Sequence, residues 1–269
     1  MSNAALRILS AVIGIPVVVG LTYLGGWYFA AFVVLVGVIA QDEVYNLFRA
    51  TDVVPFRWVG LLAGVLVMVS PLWSMGQPLA VLVLIGLLAA SPFLAQSAPI
   101  LPRMSATVSG VLYPALSLSY GVALRVGVEG ALTDTQAFQL TITTLVLIWS
   151  TDSFAYFAGR ALGKHPLAPK VSPKKTWEGS VGGAVGTLAL AIIAKLFWLT
   201  WLTWADVAAL TLICGMLSQL GDLAESAFKR SVGVKDSGTI LPGHGGMLDR
   251  NDALLLVLPI VYLYIQYLR

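Results

Sequence analysis

Long apolar runs, separated by short polar gaps, dominate the pattern of this 269-residue chain. A hydrocarbon core about 30 Å thick takes roughly 20 apolar residues per helix. On that scale the pattern predicts about nine transmembrane helices, at 8–24, 27–48, 58–73, 79–95, 105–127, 139–160, 181–200, 205–228 and 247–268. Further runs follow the first one at once, so we interpret it as a retained helix and not a signal peptide. The predicted fold class is therefore all-α, a polytopic integral membrane helix bundle.

Composition also predicts a lipid environment. Hydrophobic residues make up 58% of the sequence and charged residues 11%, whereas soluble domains carry about 25% charged residues. We expect a single transmembrane domain over 1–269, with a hydrophobic front half at 1–135 and a chemically dense back half at 136–269. The front half contains the first five predicted helices, and the back half contains the other four and two polar loops. The lone Cys214 lies in an apolar run, which predicts a small buried side chain.

Lysine and arginine are distributed unevenly between the two ends of the predicted helices. Thirteen of the sixteen fall on the side of the N-terminus, namely Arg7, Arg49, Arg57, Arg103, Arg160, Lys164, Lys170, Lys174, Lys175, Lys229, Arg230, Lys235 and Arg250. Because cytoplasmic loops carry an excess of Lys and Arg, this asymmetry predicts a cytoplasmic N-terminus in the inner (cytoplasmic) membrane. The two long polar loops, and any functional site that they carry, would face the cytoplasm. The formal charge of +3 lies in short gaps, so nucleic acid is not an expected partner.

Five carboxylates in or beside the apolar runs need an explanation, because ionisable groups are costly in lipid. They are Asp152 in the sixth run, Asp222 and Glu225 in the eighth, and Asp249 and Asp252 at the start of the ninth. Spacings of three or four residues place the members of each pair on one helix face, with Ser226 beside the first pair. Clustered carboxylates need cations to stay ionised at low dielectric, and oxygen ligands of this kind suit magnesium.

Two interpretations of these carboxylates follow from the residues alone. Glu225 is either part of a metal site or the partner of Lys229, which lies four residues further along the same helix. Asp222 and Asp249 could likewise pair with nearby basic side chains, but for them we favour metal binding.

The loop from Arg230 to Gly246 is suited to phosphate. Its glycines allow close backbone approach to a ligand, and its lysine and arginine side chains suit phosphate oxygens. His244 is flanked by glycines and is not expected to be a packed core residue. Such loops also serve as plain turns, and the attached carboxylate pair is what favours a functional site here.

The loop from Gly159 to Ser180 contains a second basic segment. Ser172 followed by proline predicts the start of a helix, and a helix N-terminus beside Lys174 and Lys175 predicts an anion site. The alternative is a positively charged loop with Trp177 as an interfacial anchor.

Other polar and small residues favour structural roles. The glycines that follow Trp177 are spaced as in a helix-packing face, namely Gly179, Gly182, Gly183 and Gly186. Asp42 and Glu43, near the end of the second run, are interpreted as interfacial charges or as partners of Arg49.

Several of these segments resemble the signature of the phosphatidate cytidylyltransferase family, also called CDP-diacylglycerol synthases. From Ser226 to Asp252 the chain has Ser, Lys-Arg, Lys-Asp-x-Gly, Leu-Pro-x-His-Gly-Gly and Asp-Arg-x-Asp in the family's order and spacing. The segments Asp-Ser-Phe-Ala-Tyr-Phe-Ala-Gly-Arg from Asp152 and Ser-Pro-Lys-Lys-Thr-Trp-Glu-Gly from Ser172 are also similar. Asn251 departs from the pattern, since the family usually has an apolar residue at this position.

This resemblance implies an all-helical, homodimeric membrane enzyme that needs Mg²⁺, in a paired-cation site. A phosphatidic acid oxygen would attack the α-phosphorus of CTP and release pyrophosphate. The implied metal ligands are Asp222, Asp249 and Glu225, with Asp152 and Asp252 close to them. The implied catalytic residues are Asp222, Asp249, Lys229, Ser226 and His244. The implied substrate-binding residues are Ser172, Lys174, Lys175, Arg230, Lys235, Asp236, Gly245, Gly246 and Arg250.

Two other functions compete with this one. A related enzyme would act on another lipid phosphate or use CTP as a lipid kinase, and the intact His-Gly-Gly-x-x-Asp-Arg segment argues against the kinase. An ion-coupled transporter would use the same carboxylates as a cation pathway. The two basic, phosphate-suited loops favour the enzyme over the transporter.

Overall fold

A computed structural model describes residues 3–73, 76–90, 93, 99–127, 131–240 and 245–269. The helices are α1 (Asn3–Leu24), α2 (Gly26–Arg49), α3 (Arg57–Val69), α4 (Gly76–Ala89), α5 (Ile100–Val126), α6 (Asp134–Leu162), α7 (Trp177–Phe197), α8 (Trp204–Ser231) and α9 (Leu248–Tyr267). A short 3₁₀ turn, Ser70–Leu72, extends α3, and α5 and α8 each contain a π-helical segment, Val111–Leu116 and Ile213–Leu217. Two short antiparallel strands, β1 (Pro166–Ala168) and β2 (Ser172–Thr176), form the one exception to the predicted all-α class in the described chain.

Five of the described helices are long and apolar enough to cross a membrane, namely α2, α5, α6, α7 and α8. Shorter apolar helices cover Val12–Leu24, Arg57–Leu72 and Leu79–Ala89. The prediction of a polytopic helical membrane protein is therefore confirmed. The number of nine spans and the cytoplasmic N-terminus stay predictions, and most of 91–95 at the end of the fourth predicted span lies outside the described residues.

The chain divides into two compact units. The first comprises Met1–Val126 with Val232–Asn251, and the second comprises Gly127–Ser231 with Asp252–Arg269. The chain therefore passes from one unit to the other three times, the last time within α9. The predicted single domain, with halves at 1–135 and 136–269, stays a prediction.

Helix α2 is the polar centre of the first unit. Gln41 Nε2 donates to Tyr45 Oη and to the Gly60 carbonyl oxygen, both at 2.7 Å, and Tyr45 Oη donates to the Thr107 carbonyl oxygen at 3.0 Å. These bonds join α2 to α3 and α5, and such bonds help to hold helices together where lipid reduces the hydrophobic driving force. An apolar cluster packs beside them and contains Phe56, Ala63, Val67, Ala80, Leu87, Met104 and Val111.

In the second unit, α6 and α7 pack closely through small residues. A Cβ atom at Gly183 would lie 3.0 Å from the Thr151 carbonyl oxygen and 3.1 Å from Ala155 Cβ. The predicted helix-packing face of glycines is therefore confirmed. Thr151 Oγ1 also lies 2.5 Å from Thr187 Oγ1 and 3.1 Å from the carbonyl oxygen of Cys214, so a polar contact links α6, α7 and α8. Cys214 is buried and free, as predicted.

Candidate active site

In the second unit, Lys175 and Asp222 form the centre of a charged cluster. The ammonium group of Lys175, on β2, donates to Asp222 Oδ2 on α8, and both side chains are about a quarter exposed. Ser226, one turn further along α8, lies 3.3 Å from the other carboxylate oxygen of Asp222 and donates to it. Because α8 presents Asp222 and Ser226 on one face, the predicted spacing brings them together.

Two more carboxylates belong to this cluster. Asp252 interacts electrostatically with Asp222, Asp152 and Lys175, and its own Oδ1 accepts the N–H of Ala253 at 2.7 Å. Among the interactions found for Asp252, two are with carboxylates and one is with an ammonium group. Carboxylates that lie near one another favour a nearby cation.

Helices α8 and α9 meet closely beside this cluster, at Gly221. A Cβ atom at that position would lie 2.8 Å from the Asp252 carbonyl oxygen and 3.2 Å from Ala253 Cα. Backbone atoms cannot move aside like a side chain, so only glycine permits this approach. The contact holds Asp222, the next residue, beside the helix that carries Asp252.

Glu225 lies next to these residues but has its own partner. Its Oε2 is 2.5 Å from the ammonium nitrogen of Lys229, and the two side chains are 0% and 9% exposed. The ion pair that the four-residue spacing allowed is therefore present. It does not test the alternative role of Glu225 as a metal ligand.

The basic loop before α7 differs from the prediction. Ser172 does not start a helix, because Ser172–Thr176 is a strand that pairs with Pro166–Ala168. Helix α7 begins at Trp177, and the hydroxyl of Thr176 accepts the N–H of Gly179 at 3.1 Å as its N-cap. The prediction that Ser172 caps the helix is wrong, since the strand pairing satisfies its backbone and moves the cap four residues on.

Glu178 anchors this hairpin, which sequence reasoning did not predict. Its carboxylate accepts the N–H groups of Lys164 and His165 at 3.0 and 3.2 Å, and lies 2.6 Å from His165 Nδ1. The carboxylate therefore fixes the start of the hairpin to the first turn of α7. Its position in the first turn of a helix, where acidic residues are favoured, was the available signal.

In the first unit, two backbone groups hold Asp249. Its Oδ2 accepts the N–H of Gly246 at 2.7 Å and that of Ser237 at 3.0 Å. Gly245 has a φ of +83°, and a Cβ there would lie 2.7 Å from the same oxygen, so the loop needs glycine at this position. Asp249 is thereby oriented at the start of α9.

Glu43 on α2 contacts the same loop. Its carboxylate accepts the hydroxyl of Ser237 at 2.8 Å and the N–H groups of Met247 and Leu248 at 2.9 and 2.8 Å. The interpretation of Glu43 as an interfacial charge or a partner of Arg49 is therefore wrong, because it is buried and bonded to residues about 200 positions along the chain.

Its neighbour Asp42 pairs with Arg57 at 2.5 Å, while Arg49 donates to Asn46 at 3.4 Å. The pairing of Asp42 with Arg49 was therefore also wrong. A carboxylate near the end of an apolar helix could have indicated a special role for Glu43. Asp42 has the same charge and the adjacent position, so the sequence alone did not distinguish the two residues.

The other predicted site residues are placed as follows. The side chains of Lys174, Arg230, Lys235, Asp236 and Arg250 are exposed. Asn251, which departs from the family pattern, donates its side-chain amide to the Met247 carbonyl oxygen at 2.7 Å. His244 lies outside the described residues.

The described carboxylates have the oxygen donors that suit a magnesium ion. In the described ranges, no group of three or more His, Cys, Asp or Glu side chains is arranged to hold a metal ion. Mg²⁺ is usually bound by one or two carboxylates together with water and substrate phosphates, so such a group is not required. Asp249 is oriented by two N–H groups, as metal-binding carboxylates usually are, and Asp222 interacts electrostatically with the carboxylate of Asp252.

The apolar helices and these side chains define a class of protein, namely an integral membrane protein that carries carboxylates and lysines close together. The sequence model of the cytidylyltransferase family matches residues 5–268. A protein of Synechocystis named phosphatidate cytidylyltransferase is 34% identical over 284 aligned residues, covering 97% of this chain and 96% of the relative. Proteins of the same name from Staphylococcus epidermidis and Staphylococcus saprophyticus are 32% and 34% identical, each covering 95% of this chain and 96% of the relative. The chain belongs to the cytidylyltransferase family.

Proposed function

We propose that this protein is a phosphatidate cytidylyltransferase, which makes CDP-diacylglycerol and pyrophosphate from CTP and phosphatidic acid. The observation that carries the proposal is the similarity to relatives of that name over 95–97% of the chain. The signature residues from Ser226 to Asp252 lie within the matched region. A lipid-embedded chain also suits a substrate whose acyl tails stay in the bilayer.

The proposed reaction exchanges one phosphoanhydride for another. An oxygen of the phosphatidic acid phosphate forms a bond to the α-phosphorus of CTP. The bond from that phosphorus to the oxygen that bridges the α- and β-phosphates breaks, and pyrophosphate leaves with the electron pair. Catalysis of such transfers depends mainly on positioning and on neutralising phosphate charge.

The charged residues have matching proposed roles. Lys175 sits beside Asp222 and donates a hydrogen bond to it, so the ammonium group can orient that carboxylate and contact an incoming phosphate oxygen. The exposed cations Lys174, Arg230 and Lys235 would attract the CTP phosphates or the lipid headgroup. Lys229 is buried with Glu225, and we propose that it contributes to the site from within that pair.

We propose that Mg²⁺ is the cofactor, held by Asp222 and Asp249, with Glu225 as a further candidate ligand and Asp152 and Asp252 close by. When bound, the ion would neutralise phosphate charge and hold phosphate oxygens in place. The protein supplies orientation, through the two N–H groups that hold Asp249 and the ammonium group that holds Asp222.

We also propose the topology that the charge distribution predicts. The chain would cross the inner membrane about nine times, with the N-terminus and the site facing the cytoplasm, and would form a homodimer. Cys214 is buried, so a cysteine introduced at Lys235 would be the reporter in sealed vesicles. Labelling of that cysteine by an impermeant maleimide from the periplasmic side alone would contradict the orientation.

The first experiment measures transfer of label from α-labelled CTP to lipid by the purified protein in detergent, with phosphatidic acid and with or without Mg²⁺. We expect a Mg²⁺-dependent, lipid-soluble CDP product. Folded protein that yields no such product across several acyl chains would contradict the proposed function. Labelled product from another lipid phosphate would identify a related transferase. Lipid labelled from γ-labelled but not from α-labelled CTP would identify a lipid kinase, and cation-driven solute uptake by the protein in sealed vesicles would identify a transporter.

Asp249→Asn tests the assigned ligand. We expect turnover to fall by more than the about 10–100-fold typical for residues that only support a metal ligand, while folded protein stays in the membrane. The amide keeps one acceptor oxygen for the loop N–H groups but loses the charge. Near-normal turnover in this variant would contradict the metal assignment.

A further inference from the structure

Glu43 is a buried carboxylate that the proposed reaction does not use. Its residue is only 6% exposed, in a helix whose other buried positions are mostly apolar. Burying a charge without partners is costly, so the buried carboxylate of Glu43 requires hydrogen-bond donors around it. All of the bonds found for its carboxylate go to one segment of the first unit, the loop and first helical residues between Ser237 and Leu248.

Two of these bonds satisfy the start of α9. The N–H groups at the beginning of a helix have no partner within the helix, and the helix dipole favours a negative charge there. Glu43 Oε1 accepts the N–H of Met247, and Oε2 accepts that of Leu248, the first residue of α9. A carboxylate from α2 therefore caps the helix that carries Asp249.

The third bond connects Glu43 to Asp249 through a shared residue. Ser237 donates its hydroxyl to Glu43 Oε2 and its backbone N–H to Asp249 Oδ2. The Glu43 carboxylate fixes the side chain of Ser237, and the Asp249 carboxylate accepts its backbone N–H. The orientation of Asp249 is therefore coupled to Glu43 through Ser237.

Two glycines permit this arrangement. A Cβ atom at Gly238 would overlap with Oε1 of Glu43, and one at Gly246 would overlap with Oε2 and with the Ser237 hydroxyl. Gly246 also donates its N–H to Asp249. The loop backbone thus wraps closely around one carboxylate while it presents its N–H groups to the other.

We propose that Glu43 is a positioning residue for Asp249, acting through Ser237 and the start of α9. The proposal deepens the proposed function and rests on it, since it gives Asp249 its task in cytidylyl transfer. Three of the about four acceptor positions of the Glu43 carboxylate already receive donors from the loop and from the start of α9, which fits a positioning role.

The size of the effect follows from comparable sites. Partners that orient a metal-binding or catalytic side chain typically contribute about 10–100-fold to affinity or activity. In Glu43→Gln, an NH₂ group replaces one of the two acceptor oxygens and faces an N–H or hydroxyl donor. In Glu43→Asp both oxygens and the charge remain, but the side chain is one methylene shorter and cannot reach every donor. We expect the order of turnover to be wild type, then Asp, then Gln.

The experiment compares both Glu43 variants with Asp42→Asn, the neighbouring carboxylate on the same helix. Asp42 pairs with Arg57, and both side chains are partly exposed, so its replacement should leave turnover within about twofold of wild type. Each purified protein is assayed for kcat and for the KM of CTP at saturating Mg²⁺. We expect Glu43→Gln to lower kcat by about 10–100-fold, with a smaller change in KM.

Hydrogen–deuterium exchange of the ligand-free proteins supplies a readout independent of activity. We expect the amides of Ser237, Gly246 and Leu248 to exchange faster in Glu43→Gln, with wild-type exchange in α6 and α7, and no change in Asp42→Asn. Ser237→Ala keeps the N–H to Asp249 and loses only the bond to Glu43. We expect Ser237→Ala to raise amide exchange and to lower kcat as Glu43→Gln does, but by a smaller factor. This variant tests the proposal if Glu43→Gln does not fold.

Wild-type kcat in both Glu43→Gln and Ser237→Ala would overturn the proposal. So would a lowered kcat with wild-type exchange of the three amides, since Glu43 would then act by another route. A wild-type protein without any cytidylyl transfer would overturn the proposed function instead. In that case faster exchange in Glu43→Gln would still establish the link between Glu43 and the loop.

Discussion

Removing one member of the Glu225–Lys229 ion pair should destabilise the folded protein more than removing both. The two side chains are 0% and 9% exposed, and their charged atoms are 2.5 Å apart. A single substitution breaks this ion pair and leaves the other charge buried, whereas the double substitution removes both charges. Replacement of a whole buried pair by uncharged groups is often neutral or even stabilising.

Burial sets the magnitude of this effect. An exposed pair with the same spacing on a helix contributes about 0.3–0.5 kcal/mol, while breaking a buried pair costs about 3–5 kcal/mol. For a chain of this size about 1 kcal/mol corresponds to a shift of about 2–4 °C in Tm. We therefore expect Glu225→Gln and Lys229→Met each to lower Tm by about 6–20 °C, and the double variant to recover most of that loss.

The assay is thermal unfolding of the four purified proteins in detergent, analysed as a double-mutant cycle. Lys195→Met is the control, because the described contacts of its ammonium group are a hydrogen bond to the Thr200 carbonyl oxygen and a contact 5.9 Å from the centre of the Trp204 ring, and neither is an ion pair. Single variants with the Tm of the control, or a double variant whose loss equals the sum of the single losses, would refute the reasoning.

Turnover of the same variants separates structure from chemistry. A double variant that recovers both stability and turnover would assign a structural role to the pair and contradict the metal and catalytic roles proposed for its members. A double variant that recovers stability but not turnover would support those roles. This distinction is the one that the four-residue spacing in the sequence left open.

Two further predictions concern the charged cluster of the second unit. Lys175→Met should lower turnover by about 10–100-fold, because a charge-assisted bond to Asp222 contributes about 1.5–3 kcal/mol. Lys175→Arg should recover part of the lost turnover. Equal turnover in Lys175→Met and wild type would contradict the role of the ammonium group. Gly221→Ala should destabilise by about 1–3 kcal/mol and reduce turnover, because its Cβ would lie 2.8 Å from the Asp252 carbonyl oxygen. Gly86→Ala meets nothing within 4 Å and is the control in thermal unfolding; equal stability of the two variants would contradict the close contact.

Local sequence signals predicted part of the site correctly. The four-residue spacings predicted that Asp222 and Ser226 share a helix face, and allowed the pair of Glu225 with Lys229 as one of two interpretations. Both contacts lie within one helix, where geometry follows from spacing. The glycine face of α7 was predicted for the same reason. Such predictions succeed when the partner lies on the same helix or on the helix's own periodic face.

The errors arose where partners come from distant segments. Ser172 and Thr176 are both good N-cap residues, and pairing with Pro166–Ala168 is what places one in a strand and the other at the cap. Asp42 and Glu43 are neighbours with the same charge. Only the arrangement in space makes one a partner of Arg57 and buries the other against a loop 194 to 205 residues away.

The sequence by itself determined that the chain is helical and embedded in lipid. Long apolar segments can cross a membrane as helices, because a helix satisfies its own backbone N–H and C=O groups. The sequence also determined the set of charged residues available for chemistry, since each such residue in an apolar run is costly to keep. The tertiary structure decided which donor meets each carboxylate. Hydrogen bonds act over about 3 Å, and contacts of that precision depend on how distant segments pack rather than on the pattern along the chain.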